Sequence, residues 1–514
     1  MSDSGSRRFS VAQPLPLGQL MAGVLNAPDG IEITDVTLDS RTVRPGALFL
    51  ACRGGTRHGL EFAGQAVTRG ARAVLYDEDA SDWVSPRADF GPAVFVAGVP
   101  QLARHLGTIA NRFFGAPSRF LSITAITGTN GKTTCAYLLA QALTRCGRPA
   151  AYIGTLGFGP PGALEPSNLT TPDVVGLQRQ LAELRAQGAQ WVSMEVSSHA
   201  LDQGRTDGTR FRAAAFTNLT RDHLDYHGTM AAYASAKARL FECDTLAARV
   251  INIDDDFGLE LALRHAHGAL VVTSRVRSRE DVPSSLRPAR YVRAAASRAL
   301  PTGLAIEVDS SWGESAFTVP LVGDFNVDNV LTVLAALLSA DVPLADATSA
   351  LGQCVPPPGR MQLIEGQARH GLAIVDYAHT PDALAKALRA ARVHCAGRLT
   401  VVFGCGGDRD AGKRPVMGRI AAELADDVVL TDDNPRGEDP RRIVAGILAG
   451  IDGQEAVRIE HDRARAIRGA LERARAGDVV VIAGKGHEDY QIYGTERRSF
   501  SDEAIARQYF GGQA

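Results

Sequence analysis

The stretch Thr127-Gly128-Thr129-Asn130-Gly131-Lys132-Thr133-Thr134 constrains this chain more than any other. It follows an apolar run, Leu121 to Ile126, that reads as a buried strand, and it opens a periodic segment, Cys135 to Thr144, that reads as a helix. A strand that turns through glycines into a helix start aims backbone N–H groups at one spot, where the helix N-terminus favours an anion. Lys132 adds a mobile cation for nucleotide β- and γ-phosphates, and the Thr133 hydroxyl is placed to hold Mg²⁺. The usual pattern has a glycine five residues before Gly131; that position is Ile126 here, so the loop is a shortened form.

Further apolar runs repeat the arrangement. Ala150–Ile153, Trp191–Val196, Ala213–Asn218 and Val250–Ile253 read as strands, several followed by helices, the pattern of a mostly parallel sheet covered on both faces. Before them, Ala47–Cys52 and Ala73–Tyr76 read as strands, with Gly59–Arg69 and Val99–Phe114 as helices. Beyond Pro356-Pro357-Pro358-Gly359, a hinge by composition, come strands at Leu372–Tyr377, Leu399–Gly404, Asp427–Thr431 and Asp478–Ala483. The 514 residues suit about three domains. The expected fold is α/β throughout: a small N-terminal α/β domain over 1–101, a central P-loop-type domain with a mostly parallel sheet over 102–354, and a Rossmann-like C-terminal domain over 355–514.

Six of these strands run into polar motifs. They are Ser197-Ser198-His199 after Glu195, Arg221-Asp222-His223, Asp376-Tyr377-Ala378-His379, Gly407-Asp408-Arg409-Asp410, Asp433-Asn434-Pro435-Arg436 and Gly484-Lys485-Gly486-His487-Glu488. Open α/β sheets bind ligands beyond the carboxyl ends of their strands, so six such ends in a chain with a phosphate loop point to one site. Glu195 has the oxygens Mg²⁺ takes beside a triphosphate. His223 reads as a metal ligand, with a packed core histidine as the alternative. Lys237 reads by helical spacing as a solvated lysine.

Composition excludes several classes. With 55 basic against 57 acidic residues there is no excess of positive charge for nucleic acid. Seven scattered cysteines without CxxC spacing suit reduced thiols in the cytoplasm. Met1 to Ser10 is polar and reads as no signal peptide, and no run approaches the roughly 20 apolar residues of a membrane span.

At these motifs, together with Thr37-Leu38-Asp39-Ser40-Arg41, Asp222-His223-Leu224-Asp225-Tyr226-His227-Gly228 and Gly323-Asp324-Phe325-Asn326, the chain resembles the Mur ligases of peptidoglycan synthesis. The shortened phosphate loop is that family's own version. The resemblance implies an ATP-dependent amide ligase that joins meso-2,6-diaminopimelate to UDP-MurNAc-L-Ala-D-Glu through an acyl phosphate. It implies a cytoplasmic monomer that uses ATP and Mg²⁺, without nucleic acid or membrane insertion. It places the uridine diphosphate end on Leu38, Ser40, Gly55, Thr56 and Arg57, and the muropeptide on Asn168, Thr170, Thr171, Ser197, Gln203 and Arg205. The ATP phosphates fall to Gly128, Thr129, Asn130, Gly131, Lys132, Thr133 and Thr134, and adenine to Asn326 and Asn329. Lys237 matches a lysine carbamylated in the family, which makes it a metal ligand with Thr133, Glu195 and His223; Lys132, Glu195, His223 and Lys237 are then the catalytic set. Diaminopimelate falls to Arg409, Asp433, Asn434, Pro435, Arg436, Gly484 and Glu488.

Three other readings compete. A sister ligase would add L-lysine. A regulatory P-loop NTPase would need no small-molecule pocket outside the nucleotide site. A dinucleotide-dependent dehydrogenase would use Gly404-Cys405-Gly406-Gly407, which lacks GxGxxG spacing.

Overall fold

In the computed structural model the phosphate loop leaves the middle of a sheet. The structure describes residues 13–511 except 55, 56, 79–89, 91, 92, 168, 267, 301, 365, 367–370 and 454–456. It forms two compact units, Met1–Ile251 with Asp255–Leu270, and Asn252–Asp254 with Val271–Ala514.

Among the described residues, besides the short antiparallel pair Leu15–Pro16 and Glu32–Ile33, the first unit holds two sheets. The smaller has four parallel strands in chain order, Asp35–Thr37, Ala47–Ala51, Ala73–Asp77 and Phe95–Val99. The helix expected over 59–69 divides into a 3-10 turn, Gly59–Phe62, and a helix, Ala63–Thr68. His58 starts that turn by accepting from the Leu60 N–H. In the larger sheet Ala248–Asn252, Ala213–Phe216, Ser122–Thr127, Trp191–Glu195 and Ala150–Gly154 lie side by side and parallel, with Gly157–Gly159 antiparallel at the edge. Register pairs Glu195 with Ile126 and Phe216 with Thr127. The loops after these three strands therefore emerge together, on either side of the phosphate loop. Arg179, on helix Val174–Ala186, ties the two sheets by donating to the Asp35 carboxylate at 2.7 Å and the Val36 carbonyl at 2.8 Å.

The second unit carries strand Leu270–Ser274 parallel to Arg290–Leu300, which continues antiparallel through Gly303–Ser310 and Gly313–Val319. This meander is an addition to the parallel strands expected from sequence. Helices Asn326–Ser339 and Leu344–Gly352 follow. The Pro-rich segment lies in the irregular stretch before Gln362. There Gly359 has φ +65°, and a Cβ would stand 2.1 Å from the His487 nitrogen. The last sheet runs Gln362–Ile364, Leu372–Asp376, Val479–Ala483, Leu399–Phe403, Asp427–Leu430, Val457–Ile459, all parallel except the first. Insertion of the late strand between two earlier ones makes the kind of switch point where open sheets bind ligands. Among the described residues no helix is long and apolar enough to cross a membrane.

Arg463 holds this last sheet to the C-terminal helix Asp502–Gly511. Fully buried, it donates to both Asp502 oxygens at 2.7 and 2.8 Å and to the Ala483 carbonyl at 2.9 Å. Arg463→Leu leaves the Asp502 carboxylate buried and unpaired, a loss expected to cost about 3–5 kcal/mol. Denaturant unfolding checks this, and the double variant with Asp502→Leu should recover most of the loss.

Candidate active site loops

The phosphate loop is built as its sequence requires, with the helix, Lys132–Arg145, beginning three residues earlier than expected. Gly128 has φ +151°, and a Cβ there would stand 1.9 Å from the Thr217 hydroxyl. Thr217 and Asn218, which follow strand Ala213–Phe216, brace the loop. The Thr217 hydroxyl donates to the Asn130 carbonyl at 2.6 Å, and the Asn218 side chain accepts from the Asn130 N–H at 3.0 Å. The Thr129 hydroxyl accepts from the Thr220 N–H at 2.9 Å and lies 3.2 Å from the Tyr233 hydroxyl. Lys132 Nζ donates to the carbonyls of Gly128 and Thr129 at 2.9 and 2.8 Å.

Glu195 is 1% exposed and accepts from four donors: the Thr133 hydroxyl at 2.9 Å, the Tyr152 hydroxyl, and the N–H and hydroxyl of Thr155 at 2.9 and 3.3 Å. Neutral donors hold it in place without an ion pair among them.

Lys237 corrects the reading of a solvated lysine. It is 1% exposed, its Nζ donates to the Gly128 carbonyl at 2.8 Å, and the ammonium lies 4.5 Å from the Tyr233 ring centroid. Burial, reinforced by the Lys132 charge, pushes its amine well below the usual lysine range. The helix Met230–Ala238 is mostly alanine, so nothing in its pattern marked which face packs inward.

His223 has φ +53° and lies 3.6 Å from Asp222. It is no core histidine, since its side chain is 45% exposed. Desolvation still lowers its pKa, against the raising effect of Asp222 and with the charge of Lys132. Its ring meets His199 edge-on at 4.8 Å, and His199 lies tilted against Tyr226 at 4.2 Å.

The residues matched to the muropeptide converge on Glu195. The Thr170 hydroxyl lies 3.1 Å from that of Thr155. The Thr171 hydroxyl donates to the Glu195 carbonyl at 3.0 Å and accepts from the Ser197 N–H at 3.1 Å. Arg205 donates to the Thr171 carbonyl at 3.1 Å and to the Gln203 side chain at 2.9 and 2.6 Å. Gln203 in turn donates to the Tyr226 hydroxyl, which donates to Asp202. Sequence reading missed Tyr226 and Asp202 in this role. On the four-stranded sheet, Ser40 is buried and donates to Gln65 at 2.7 Å, Leu38 packs on the core, and Arg57 lies over Phe62. Gly55, Thr56 and Asn168 lie outside the described residues.

In the second unit, Asn326 and Asn329 are buried on the first turn of their helix; the Asn329 amide donates to Asn326 at 2.8 Å, and Asn326 to the Val322 carbonyl at 2.7 Å. Asp433, Asn434 and Glu488 meet around Lys485, which is wholly buried. Asn434 donates to Glu488 at 2.9 Å. Gly484 has φ +116° and lies against Asp433. Arg436 follows Pro435 with φ +54°, and its guanidinium donates to the Gly407 carbonyl at 2.9 Å. It is not paired with Glu438, which instead takes both Nη groups of Arg414 at 2.7 Å. Arg409 is exposed on the Gly407 loop.

A phosphate loop on a parallel sheet, with an acidic side chain on its first helical hydroxyl, defines a P-loop nucleotide-binding enzyme. Models of the Mur ligase family match most of the chain: the catalytic domain model at residues 32–114, the middle domain at 126–337 and the glutamate ligase domain at 359–486. The chain is 46% identical over 502 residues to the UDP-N-acetylmuramoyl-L-alanyl-D-glutamate–2,6-diaminopimelate ligase of Xanthomonas campestris, covering 97% of this chain and 98% of that one. It is 47% identical over 489 residues to the ligase of the same name from Ectopseudomonas mendocina, covering 95% and 96%. A solved structure of a ligase of that name superposes with a TM-score of 0.69 at 36% identity, over 98% of this chain and 99% of that chain. This chain belongs to the Mur ligase family, with its three-domain α/β architecture.

Proposed function

We propose that the chain uses ATP to join meso-2,6-diaminopimelate to UDP-MurNAc-L-Ala-D-Glu, as a monomer in the cytoplasm, with domains at 1–101, 102–354 and 355–514. The observation that carries this reading is the 46% identity to a diaminopimelate ligase along 97% of the chain. The γ-phosphoryl group passes from ATP to the D-glutamyl carboxylate. The amine of diaminopimelate then attacks the acyl carbon, and phosphate leaves as the amide forms.

Each group has a physical task. Backbone N–H groups from Gly128 to Thr134, with Lys132, hold the phosphates. Asn326 and Asn329 hold adenine; Leu38, Ser40, Gly55, Thr56 and Arg57 hold the uridine diphosphate. Asn168, Thr170, Thr171, Ser197, Gln203 and Arg205 orient the muropeptide so that its D-glutamyl carboxylate faces the γ-phosphate. Thr133 and Glu195, 2.9 Å apart, fit Mg²⁺ as an all-oxygen pair. Mg²⁺ takes much of its shell from substrate phosphates and water, so it asks few ligands of the protein. Bound Mg²⁺ supplies neutralisation of the charge gathering on the γ-phosphoryl oxygens. Lys237, as a carbamate, and His223 complete the ligand set. Arg409, Asp433, Asn434, Pro435, Arg436, Gly484 and Glu488 take the amino acid.

The assay is ADP release with the muropeptide, comparing meso-diaminopimelate with L-lysine. The two differ by one carboxylate, and a buried carboxylate needs a positioned cation. Arg436 offers a planar fork for it. Diaminopimelate should be favoured in kcat/KM by roughly 10³-fold or more, because lysine leaves the guanidinium unpaired. Arg436→Ala should lose most of that preference. Equal use of lysine by the wild type would point instead to the lysine-adding sister. ADP release without muropeptide or amino acid would point to a regulatory NTPase.

A further inference from the structure

Lys485 has no task in the reading above, yet it is among the most deeply buried charges in the molecule. It is 0% exposed, on the turn after strand Val479–Ala483. Its Nζ lies 3.0 Å from Glu488 Oε2, 3.2 Å from Asn434 Oδ1 and 3.4 Å from Asp433 Oδ1, with the Tyr490 ring centroid at 5.4 Å. An ammonium has three protons to donate, and here three acceptors from two loops surround it.

The consequences for its neighbours are specific. Asn434 Oδ1 accepts from Lys485 and from the Ile492 N–H at 3.0 Å, which turns the amide so that Nδ2 donates to Glu488 Oε2 at 2.9 Å. Glu488 Oε2 thus takes two donors, Lys485 and Asn434. The carboxylate is fixed in rotation, and Oε1 is its remaining face. Asp433 and Glu488 bring two negative charges and Lys485 one positive; Arg463, whose charge also reaches both carboxylates, is paired with Asp502, so one negative charge is left over for an incoming ammonium.

We propose that Lys485 is a positioning and specificity residue for the amino acid. It fills the cation place between Asp433, Asn434 and Glu488, so that Oε1 is the Glu488 oxygen left to a substrate ammonium. This rests on the assignment of Asn434 and Glu488 to diaminopimelate. Without Lys485 the two carboxylates would repel one another and draw the substrate amine, or any small cation, into the wrong place.

The test is steady-state kinetics of Lys485→Met, which keeps the chain length and removes the charge, with Lys485→Gln as a second neutral variant should the first fail to fold. KM for diaminopimelate should rise about 30-fold or more, the scale expected when one partner of a buried charged network is removed. The kcat, and the KM values for ATP and muropeptide, should stay within about threefold. Lys485→Ala should regain affinity for diaminopimelate when ethylammonium is added, and Lys485→Met, whose side chain fills the space, should not. An unchanged KM for diaminopimelate overturns the proposal. So does a rise shared equally by all three substrates, which would make Lys485 a scaffold residue. A wild type that releases ADP without regard to diaminopimelate sinks the underlying assignment instead, and the two failures are told apart in the same assay.

Discussion

Lys132→Ala is expected to slow ligation by roughly a thousandfold or more, the scale seen when a preorganised charge is removed from developing anionic oxygens. The reason lies in the loop. Lys132 Nζ sits on the Gly128 and Thr129 carbonyls at 2.9 and 2.8 Å, so its position is set by the backbone it serves. A cation held this way meets the phosphoryl charge with little reordering. The fold of the loop should survive, because Thr217, Asn218 and Thr220 brace it independently of Lys132. Muropeptide affinity should therefore stay within about threefold, as for a group that acts on the transition state more than on binding. Turnover and muropeptide binding, measured separately, check both halves. Near-normal turnover would remove Gly128–Thr134 from the chemistry.

Much of the fold could be read from sequence because its strands are short apolar runs that end in polar motifs. Trp191–Glu195 and Asp427–Leu430 stop one residue before the expected ends, Val196 and Thr431. The antiparallel meander was not read. Arg290–Leu300 carries Arg290, Arg293 and Arg298 among alanines and lacks the apolar run that marked the buried strands. Its hairpin partner, Gly303–Ser310, does alternate, with Leu304, Ile306 and Val308 buried.

At the site, motif residues were legible and their supports were not. Glu195 stands at a strand end and shows itself by position. Thr155 and Tyr152, which hold it, lie 40 and 43 residues away in sequence. The same applies to Asn218, which braces Asn130 from 88 residues further on, and to Arg463 on Asp502. Such pairs leave no local period to detect. Lys485 had a signal, a lysine between two glycines at a strand end, but the motif alone does not say whether the side chain points to solvent or inward.

Lys237→Ala is expected to be almost inactive, down by roughly a thousandfold or more, as when an anionic ligand to a catalytic metal is lost. Carbamate formation joins the Nζ of a neutral amine to the carbon of CO₂ and releases a proton. It therefore needs an amine that has given up its charge, and burial beside Lys132 pushes Lys237 in that direction. The Lys132 charge that acts on this amine would also favour an anion in its place. Nζ lies 2.8 Å from the Gly128 carbonyl, on the loop that carries Lys132, so added carboxylate oxygens would stand near the phosphate loop. The alanine variant leaves room for a small carboxylic acid, and formate or acetate should restore part of the turnover. Lys237→Met fills that space and supplies no oxygen, so it should stay inactive with or without the acid. Rescue of alanine but not methionine identifies the missing group as an anionic oxygen donor. Failure of every small acid to rescue, with the alanine variant folded and still binding ATP, would return Lys237 to the role of a buried amine that braces the Gly128 carbonyl.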